Sequence, residues 1–241
     1  MSNVALFKIG GKILENLAYL KNTISQLSKI YEEGLLQKII IIPGGGSYAN
    51  FIRSVYIDFG IDDEFAHWLA IYSLDYNGKE LSKKFPKLVI IDNLEKLQNM
   101  SKTFCIFLPF KVLKEFDELP HNWDVTSDSI TLYFAFKLKL SQCFLIKDVD
   151  GILDDNNQII KEISAKGIQK LREKSVLSEK GSKYEDLKLK SKPIDAYLPS
   201  LIKKHSIECF ILNGKSKDQR IINYFKNSSI EKKIFTKITS M

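Results

Sequence analysis

The sequence predicts an α/β fold, a layered and mostly parallel β-sheet flanked by helices. Three observations lead there. Ile39-Ile40-Ile41-Ile42 is a run of four isoleucines, as expected of a strand buried on both faces of a parallel sheet. Glu15 to Glu33 places Leu17, Leu20, Ile24, Leu27 and Tyr31 at spacings of three and four, the period of an amphipathic helix. Strand-length apolar runs and helix-length segments then alternate to the end, the pattern of βαβ units rather than hairpins.

Bulk properties narrow the function. The chain has 241 residues, 44% hydrophobic and 27% charged, which fits one large domain spanning residues 1–241 or two closely merged ones. No apolar run approaches the roughly 20 residues of a membrane span. The start, Met1-Ser2-Asn3-Val4-Ala5-Leu6-Phe7, has no basic lead or cleavage site, so a cytoplasmic protein without a membrane partner is expected. Cys105, Cys143 and Cys209 each lie in an apolar run with no CxxC spacing, as buried free thiols in a reducing compartment would. The net charge is +7, and from Lys203 onward nine Lys or Arg face three acids. No aromatic interleaving or basic stripe accompanies that charge, so it reads as a solvated surface rather than a nucleic-acid site.

In chain order, Val4 to Ile9 is a strand containing Lys8, and it runs into Gly10-Gly11-Lys12. Ile13 follows Lys12, so this is neither a Walker A loop nor GxGxxG. A tight turn and a close approach to a ligand both account for the two glycines. The helix of Glu15 to Glu33 ends at Gly34. Lys38 to Ile42 is the all-buried strand, and Pro43-Gly44-Gly45-Gly46-Ser47 follows it, opening a helix through Phe59. Three glycines there expose main-chain N–H groups as an anion nest, and Arg53, two turns on, reaches a bound phosphate as a fork. Asp62 to Lys84 is one long helix or a broken pair with an Asp cap. It carries His67 and Asp75 two turns apart. They serve either acceptor recognition or, blandly, as an interface histidine and a surface aspartate.

Lys87 to Ile91 and Thr103 to Leu108 read as strands and Pro109 to Glu118 as helical; a loop with Pro120 and Asn122 follows. It delivers the chain to Thr126-Ser127-Asp128-Ser129, helix-starting residues ahead of the apolar segment Ile130 to Leu140. Hydroxyls and free N–H groups at a helix N-terminus favour anions, which makes Thr126 and Ser127 candidate phosphate contacts beside Gly44, Gly45 and Gly46. Cys143 to Ile146 is a buried strand ending in Lys147-Asp148-Val149-Asp150-Gly151, and open α/β sheets bind ligands at such C-terminal ends. Beyond lie a turn at Asp154 to Asn157, a short strand at Ile159-Ile160, a helix from Ser164 to Lys174, and a polar stretch from Ser178 to Lys192 that reads as a lid or excursion. A helix from Asp195 to Lys204, a strand from Ile207 to Leu212, an Asn213-Gly214 turn, a helix from Asp218 to Phe225 and a final edge strand from Ile234 to Ile238 complete the chain.

Taken in order, Lys8-Ile9-Gly10-Gly11-Lys12, Pro43 to Ser47, Thr126 to Ser129, Lys147 to Gly151 and Asn213-Gly214 resemble the amino acid kinase superfamily over nearly the whole chain. The resemblance implies a three-layer αβα sandwich with a mostly parallel sheet of about eight strands. Residues 1–125 would bind the phosphoryl acceptor and residues 126–241 ATP, with Mg²⁺ between the phosphates. Lys8 would bridge the transferring phosphoryl group, Gly10, Gly11, Gly44 and Gly45 would donate N–H groups, and Asp128 would orient the lysines. Lys147, Asp148, Asp150 and Gly151 would line the nucleotide site. A homodimer or larger homo-oligomer is implied, with Phe51 to Leu74 suited to the interface. One departure stands out. Many members carry Gly-Met followed by a second catalytic lysine, but here the stretch reads Ser191-Lys192-Pro193-Ile194-Asp195-Ala196, leaving Lys190 or Lys192 as substitutes. The Trp123-to-Ser129 run and Lys147-Asp148-Val149-Asp150-Gly151 are similar to an archaeal branch acting on aminomethyl-furan-methyl phosphate. The alternatives are a carboxylate kinase forming an acyl phosphate and a non-catalytic nucleotide- or oxyanion-binding relative.

Overall fold

The computed structural model describes residues 3–178, 193–226, 229 and 233–241. One eight-stranded sheet has the order β3-β4-β2-β1-β5-β7-β8-β6. β1 (Val4–Ile9), β2 (Lys38–Pro43), β3 (Val89–Ile91), β4 (Thr103–Phe107), β5 (Gln142–Lys147) and β7 (Glu208–Asn213) are mutually parallel. β8 (Thr236–Thr239) runs antiparallel to β7 and parallel to β6 (Glu162–Ser164). Helices cover both faces, which makes the expected three-layer sandwich.

Strand side chains alternate between the two layers. Leu6, Ile40, Ile42, Cys105 and Leu145 join one core, with Ile71 and Leu74 of α4 (Asp63–Lys84), α6 (Phe110–Phe116), α7 (Ser127–Lys137) and α9 (Leu198–His205). Ala5, Phe7, Ile39, Ile41 and Phe144 join the other, covered by α2 (Leu17–Glu32) and α10 (Arg220–Lys226). Ile39 to Ile42 are fully buried, each contributing roughly 2 kcal/mol of apolar burial. The remaining helices are α1 (Gly11–Glu15), α3 (Gly46–Phe59), α5 (Leu94–Asn99) and α8 (Ala165–Ser178). All three cysteines are free and buried. Among the described residues no helix is long and apolar enough to cross a membrane.

The elements depart from expectation in four places. The helix predicted over Glu15 to Glu33 begins at Leu17, because the Asn16 side chain accepts from the Ala18 and Tyr19 amides and caps it, leaving α1 as a separate turn. Ile159-Ile160 makes only an isolated bridge, Leu153 to Ile159, and the strand lies later, at β6. β8 is not an edge strand but an inserted one between β7 and β6, held by Thr236, whose hydroxyl donates to the Ile160 carbonyl and accepts from the Ile152 amide. The helix predicted from Asp195 starts at Leu198, since Asp195 uses its carboxylate to receive the Leu198 amide. The lid expected over Ser178 to Lys192, with Lys190 and Lys192, lies outside the described residues except for Ser178.

Candidate active site

β1, β2 and β5 are neighbours at the centre of the sheet, so their C-terminal loops meet. Gly11 and Gly46 are in backbone contact: a Cβ on Gly11 would lie 2.7 Å from the Gly46 Cα. Gly46 also has φ +56°, the left-handed conformation that favours glycine. From α4, the Asn77 amide donates to the Gly44 and Gly45 carbonyls at 2.7 and 2.9 Å and pins the second loop. Glu15 accepts from the Ser47 amide at the start of α3.

The amide donors differ from the expectation. The Gly10 N–H donates to the Ile146 carbonyl and the Gly44 N–H to the Ile9 carbonyl, each at 2.8 Å. Both extend a parallel ladder by one step, so neither amide is available to a phosphate. Gly11, Gly45 and Gly46 sit at helix starts, where first-turn N–H groups have no intrahelical acceptor.

Beneath these loops three charges are buried together. Lys8 Nζ lies 2.9 Å from Asp128 Oδ1, and Lys147 Nζ is 2.8 Å from Oδ1 and 2.7 Å from Oδ2. Burial alone would raise the Asp128 pKa, but Lys147 and then Lys8 outweigh it and hold the group down at about 2. Burial lowers Lys8 to about 8 despite the Asp128 charge, with Lys147 adding repulsion. Burial works against the Lys147 ammonium too, yet Asp128 lifts it above the ordinary lysine value. One carboxylate thus stands between two ammonium groups, and the Asp195 charge also favours the Lys147 ammonium.

Asp128 stands in the first turn of α7, and the sequence reading missed what fixes that turn. Asp195, 9% exposed, takes hydrogen bonds from the amides of Thr126, Ser129 and Leu198 and from the hydroxyls of Thr126 and Ser129. The Thr126 hydroxyl proton therefore goes to Asp195 at 2.8 Å, which corrects its expected role as a phosphate donor. Ser127 is buried at the helix mouth. Arg172 fixes the Asp195 segment by donating to the Ile194 and Asp195 carbonyls. No motif marked Asp195; only its place in the chain where Gly-Met was expected set it apart.

At the end of β5, Asp148 pairs with Lys12 at 3.1 Å. Asp150 accepts from the Asn213 amide at 3.1 Å and faces Arg220 at 3.3 Å. Gly151 packs against Thr236 with no room for a side chain; its need for glycine comes from β8. On the other half, the Arg53 guanidinium lies 4.7 Å over the Trp123 ring, and burial lowers its pKa. His67 is stacked on His121 at 4.6 Å, edge-on to Trp68. Burial, then His121, lowers its pKa to about 4, so it is neutral at pH 7 and buttresses the loop that carries Trp123. Asp75 takes the Phe110 amide at 3.1 Å at the start of α6, while Asn77, two residues on, turns to the glycine loop.

With this arrangement in view, the likenesses are direct. The model of the amino acid kinase family matches residues 3–213. The chain belongs to the amino acid kinase family. It is 28% identical over 240 residues to the [5-(aminomethyl)furan-3-yl]methyl phosphate kinase of Methanocaldococcus jannaschii, covering 98% of each chain. It is 25% identical over 215 residues to the acetylglutamate kinase of Endomicrobium trichonymphae, covering 74% of this chain and 84% of the relative. The UMP kinase of Ureaplasma parvum has the same fold, with TM-score 0.67, 16% identity and 99% of both chains covered. This amino acid kinase family member is a phosphotransferase.

Proposed function

We propose that this kinase transfers the γ-phosphoryl group of ATP to a phosphomonoester, giving a diphosphate, with the acceptor held by residues 1–125 and ATP by residues 126–241. The observation that carries the acceptor class is Arg53. Its Nε is buried and, among the described residues, has no hydrogen-bond partner, although its guanidinium is held on Trp123. A half-buried guanidinium held on an aromatic face with its Nε unpartnered is suited to contact a phosphate. It lies seven residues beyond Gly46 on α3, about 10 Å along the axis and on the same face.

A phosphomonoester also suits a site without a general base. Its second pKa is about 6, so an acceptor oxygen is already unprotonated at pH 7. That oxygen forms a new bond to the γ-phosphorus while the bond to the β–γ bridging oxygen breaks, and the electron pair leaves on ADP. No proton moves; the protein supplies position and positive charge. Lys8 and Lys147 provide that charge, and Asp128 holds both in place. Mg²⁺ would ride on the nucleotide phosphates and neutralise part of the transferring charge; among the described residues no group of three His, Cys, Asp or Glu converges on one point. The phosphate kinase of Methanocaldococcus jannaschii supports this acceptor class and makes aminomethyl-furan-methyl phosphate the first acceptor to try.

A second reading is a carboxylate kinase, favoured by the acetylglutamate kinase relative and by the equal fit of an arginine fork to a carboxylate. The test is ATP consumption with Mg²⁺ against aminomethyl-furan-methyl phosphate, isopentenyl phosphate, UMP, acetylglutamate and aspartate, with a parallel hydroxylamine trap. Turnover on a monophosphate without trapping supports the first reading; a trapped acyl phosphate overturns it in favour of the second. The proposal extends to a pair of chains meeting through α3, which buries none of its residues and exposes Phe51 and Phe59.

A further inference from the structure

The buried cluster sets two lysines on one carboxylate, and the second of them comes from the end of β5. β1 and β5 pair in parallel with Lys8 opposite Leu145. Lys147 is two residues beyond Leu145, so the pleat puts both ammonium-bearing side chains on the same face of the sheet. Both also border the same glycine. A Cβ at Gly10 would lie 3.6 Å from Lys147 Cδ and 3.8 Å from Lys8 Nζ. The space above Gly10, bare of any side chain, is thus flanked by two lysines, and the first turn of α7 closes its back through Asp128. The Lys147 main chain is fixed as well, since its carbonyl receives the Gly214 amide at 2.8 Å.

Among the described residues, Asp128 is the carboxylate hydrogen-bonded to both Lys8 and Lys147. Asp195, the other buried carboxylate, favours the Lys147 charge only through space, its oxygens being taken by five neutral donors from Thr126, Ser129 and Leu198. Asp148 is turned to Lys12. The two lysines share a single hydrogen-bonded carboxylate. Preorganised around an open glycine turn, they suit a group whose negative charge is spread over several oxygens, as on a phosphoryl group in flight.

We propose that Lys147 is a catalytic residue that contacts the transferring γ-phosphoryl group opposite Lys8, and that the chain takes its second phosphoryl-binding lysine from the end of β5 instead of from the segment after α8. The inference rests on the kinase reading above. Lys147 stays protonated throughout; it donates hydrogen bonds to phosphoryl oxygens and exchanges no proton.

The experiment compares wild type with Lys147→Met, Lys147→Gln and the double variant Lys190→Ala/Lys192→Ala. Removing Lys147 leaves a one-to-one Lys8–Asp128 pair, so the fold should persist; circular dichroism and thermal melts check it, and the glutamine form covers failure of the methionine form. Two quantities are read: kcat with the best acceptor, and the ratio of equilibrium affinities for Mg–AMP-PNP and Mg–ADP. The affinity ratio isolates the γ-phosphoryl contact without turnover. Both Lys147 variants should lose roughly 10²–10³-fold in kcat and most of the preference for AMP-PNP over ADP, while the double variant stays within threefold on both. A folded Lys147 variant within threefold of wild type, or a double variant that loses as much, overturns the proposal and leaves the kinase reading standing. Wild type that binds neither nucleotide overturns both.

Discussion

Replacing Asp128 by Asn tests the buried cluster most directly. The change keeps the shape and removes the one negative charge that Lys8 and Lys147 share. At 2.7–2.9 Å, each pair attracts by about 6 kcal/mol at an effective dielectric of 20, offset by the cost of burying the carboxylate. Leaving a buried charge without its partner costs about 3–5 kcal/mol. The retained amide oxygen still accepts one hydrogen bond, which puts the expectation at about 3 kcal/mol. For a chain of this size that is a fall in Tm of roughly 6–12 °C. The pH dependence gives the sharper signature. Without Asp128, Lys8 drops below its present value of about 8, while the unfolded lysine stays near 10.5. A lysine depressed in the folded state destabilises while it is charged, and stability rises once pH passes its folded pKa. The variant therefore gains stability between pH 6 and 8, starting below the pH at which the wild-type Lys8 releases its proton, and its deficit narrows. Thermal melts at pH 6, 7 and 8 read this. A deficit below about 1 kcal/mol at pH 7, or one that stays constant from pH 6 to 8, would refute the idea that the two lysines depend on Asp128.

Asp195→Asn exchanges an acceptor for a donor beneath Ser129 and Leu198 and should cost about 2–3 kcal/mol in urea denaturation; a neutral result would mean that Asp195 does not hold α7. Gly45→Ala brings a Cβ to 2.6 Å from Ser73 Oγ and closer still to Ala49 Cβ. It should lower stability by about 1–3 kcal/mol, with Ala49→Gly in the same chain recovering most of the loss in denaturant midpoints. Burial raises Asp75 to about 6, with the Phe110 amide opposing. The folded state therefore holds a proton that the unfolded chain releases near 3.8, and wild-type stability should fall as pH climbs from 4 to 6. Asp75→Asn should abolish that slope and stabilise the protein at pH 7 by about 1–2 kcal/mol; a slope that survives the substitution assigns it elsewhere. Phe59, 78% exposed on α3, tests the pairing of chains: Phe59→Asp should halve the mass measured by light scattering, whereas an unchanged mass removes α3 from any interface.

What the sequence revealed follows physical range. Ile39 to Ile42 announce a buried strand because burial on two faces demands apolar residues at every position. The glycine loops are legible for a similar reason: contact between Gly11 and Gly46 leaves no room for a side chain. Local patterns carry no sign of partners distant in the chain. Asp195 reaches α7 across 66 residues to Ser129, and Asn77 reaches Gly44 across 33, so no local pattern gave either its role. Lys147 was legible as a site residue, but its sharing of Asp128 with Lys8 depends on strand order. The amide assignments at Gly10 and Gly44 failed because a ladder bond, invisible in sequence, claims each donor.

The inserted position of β8 constrains time as well as space. Among the described residues β6 is at the sheet edge and pairs only with β8, and the two are separated by more than 70 residues of chain. β1 and β2, by contrast, close over a span of 34 residues between Val4 and Lys38. Short closures precede long ones when chain entropy must be overcome before contacts form. A newly made molecule is therefore expected to complete its amino-terminal half first, with β6 and the helix that follows it docking only after the last strand has paired. During that interval the β7 edge is open, and it is the place where a second unfinished molecule can pair wrongly.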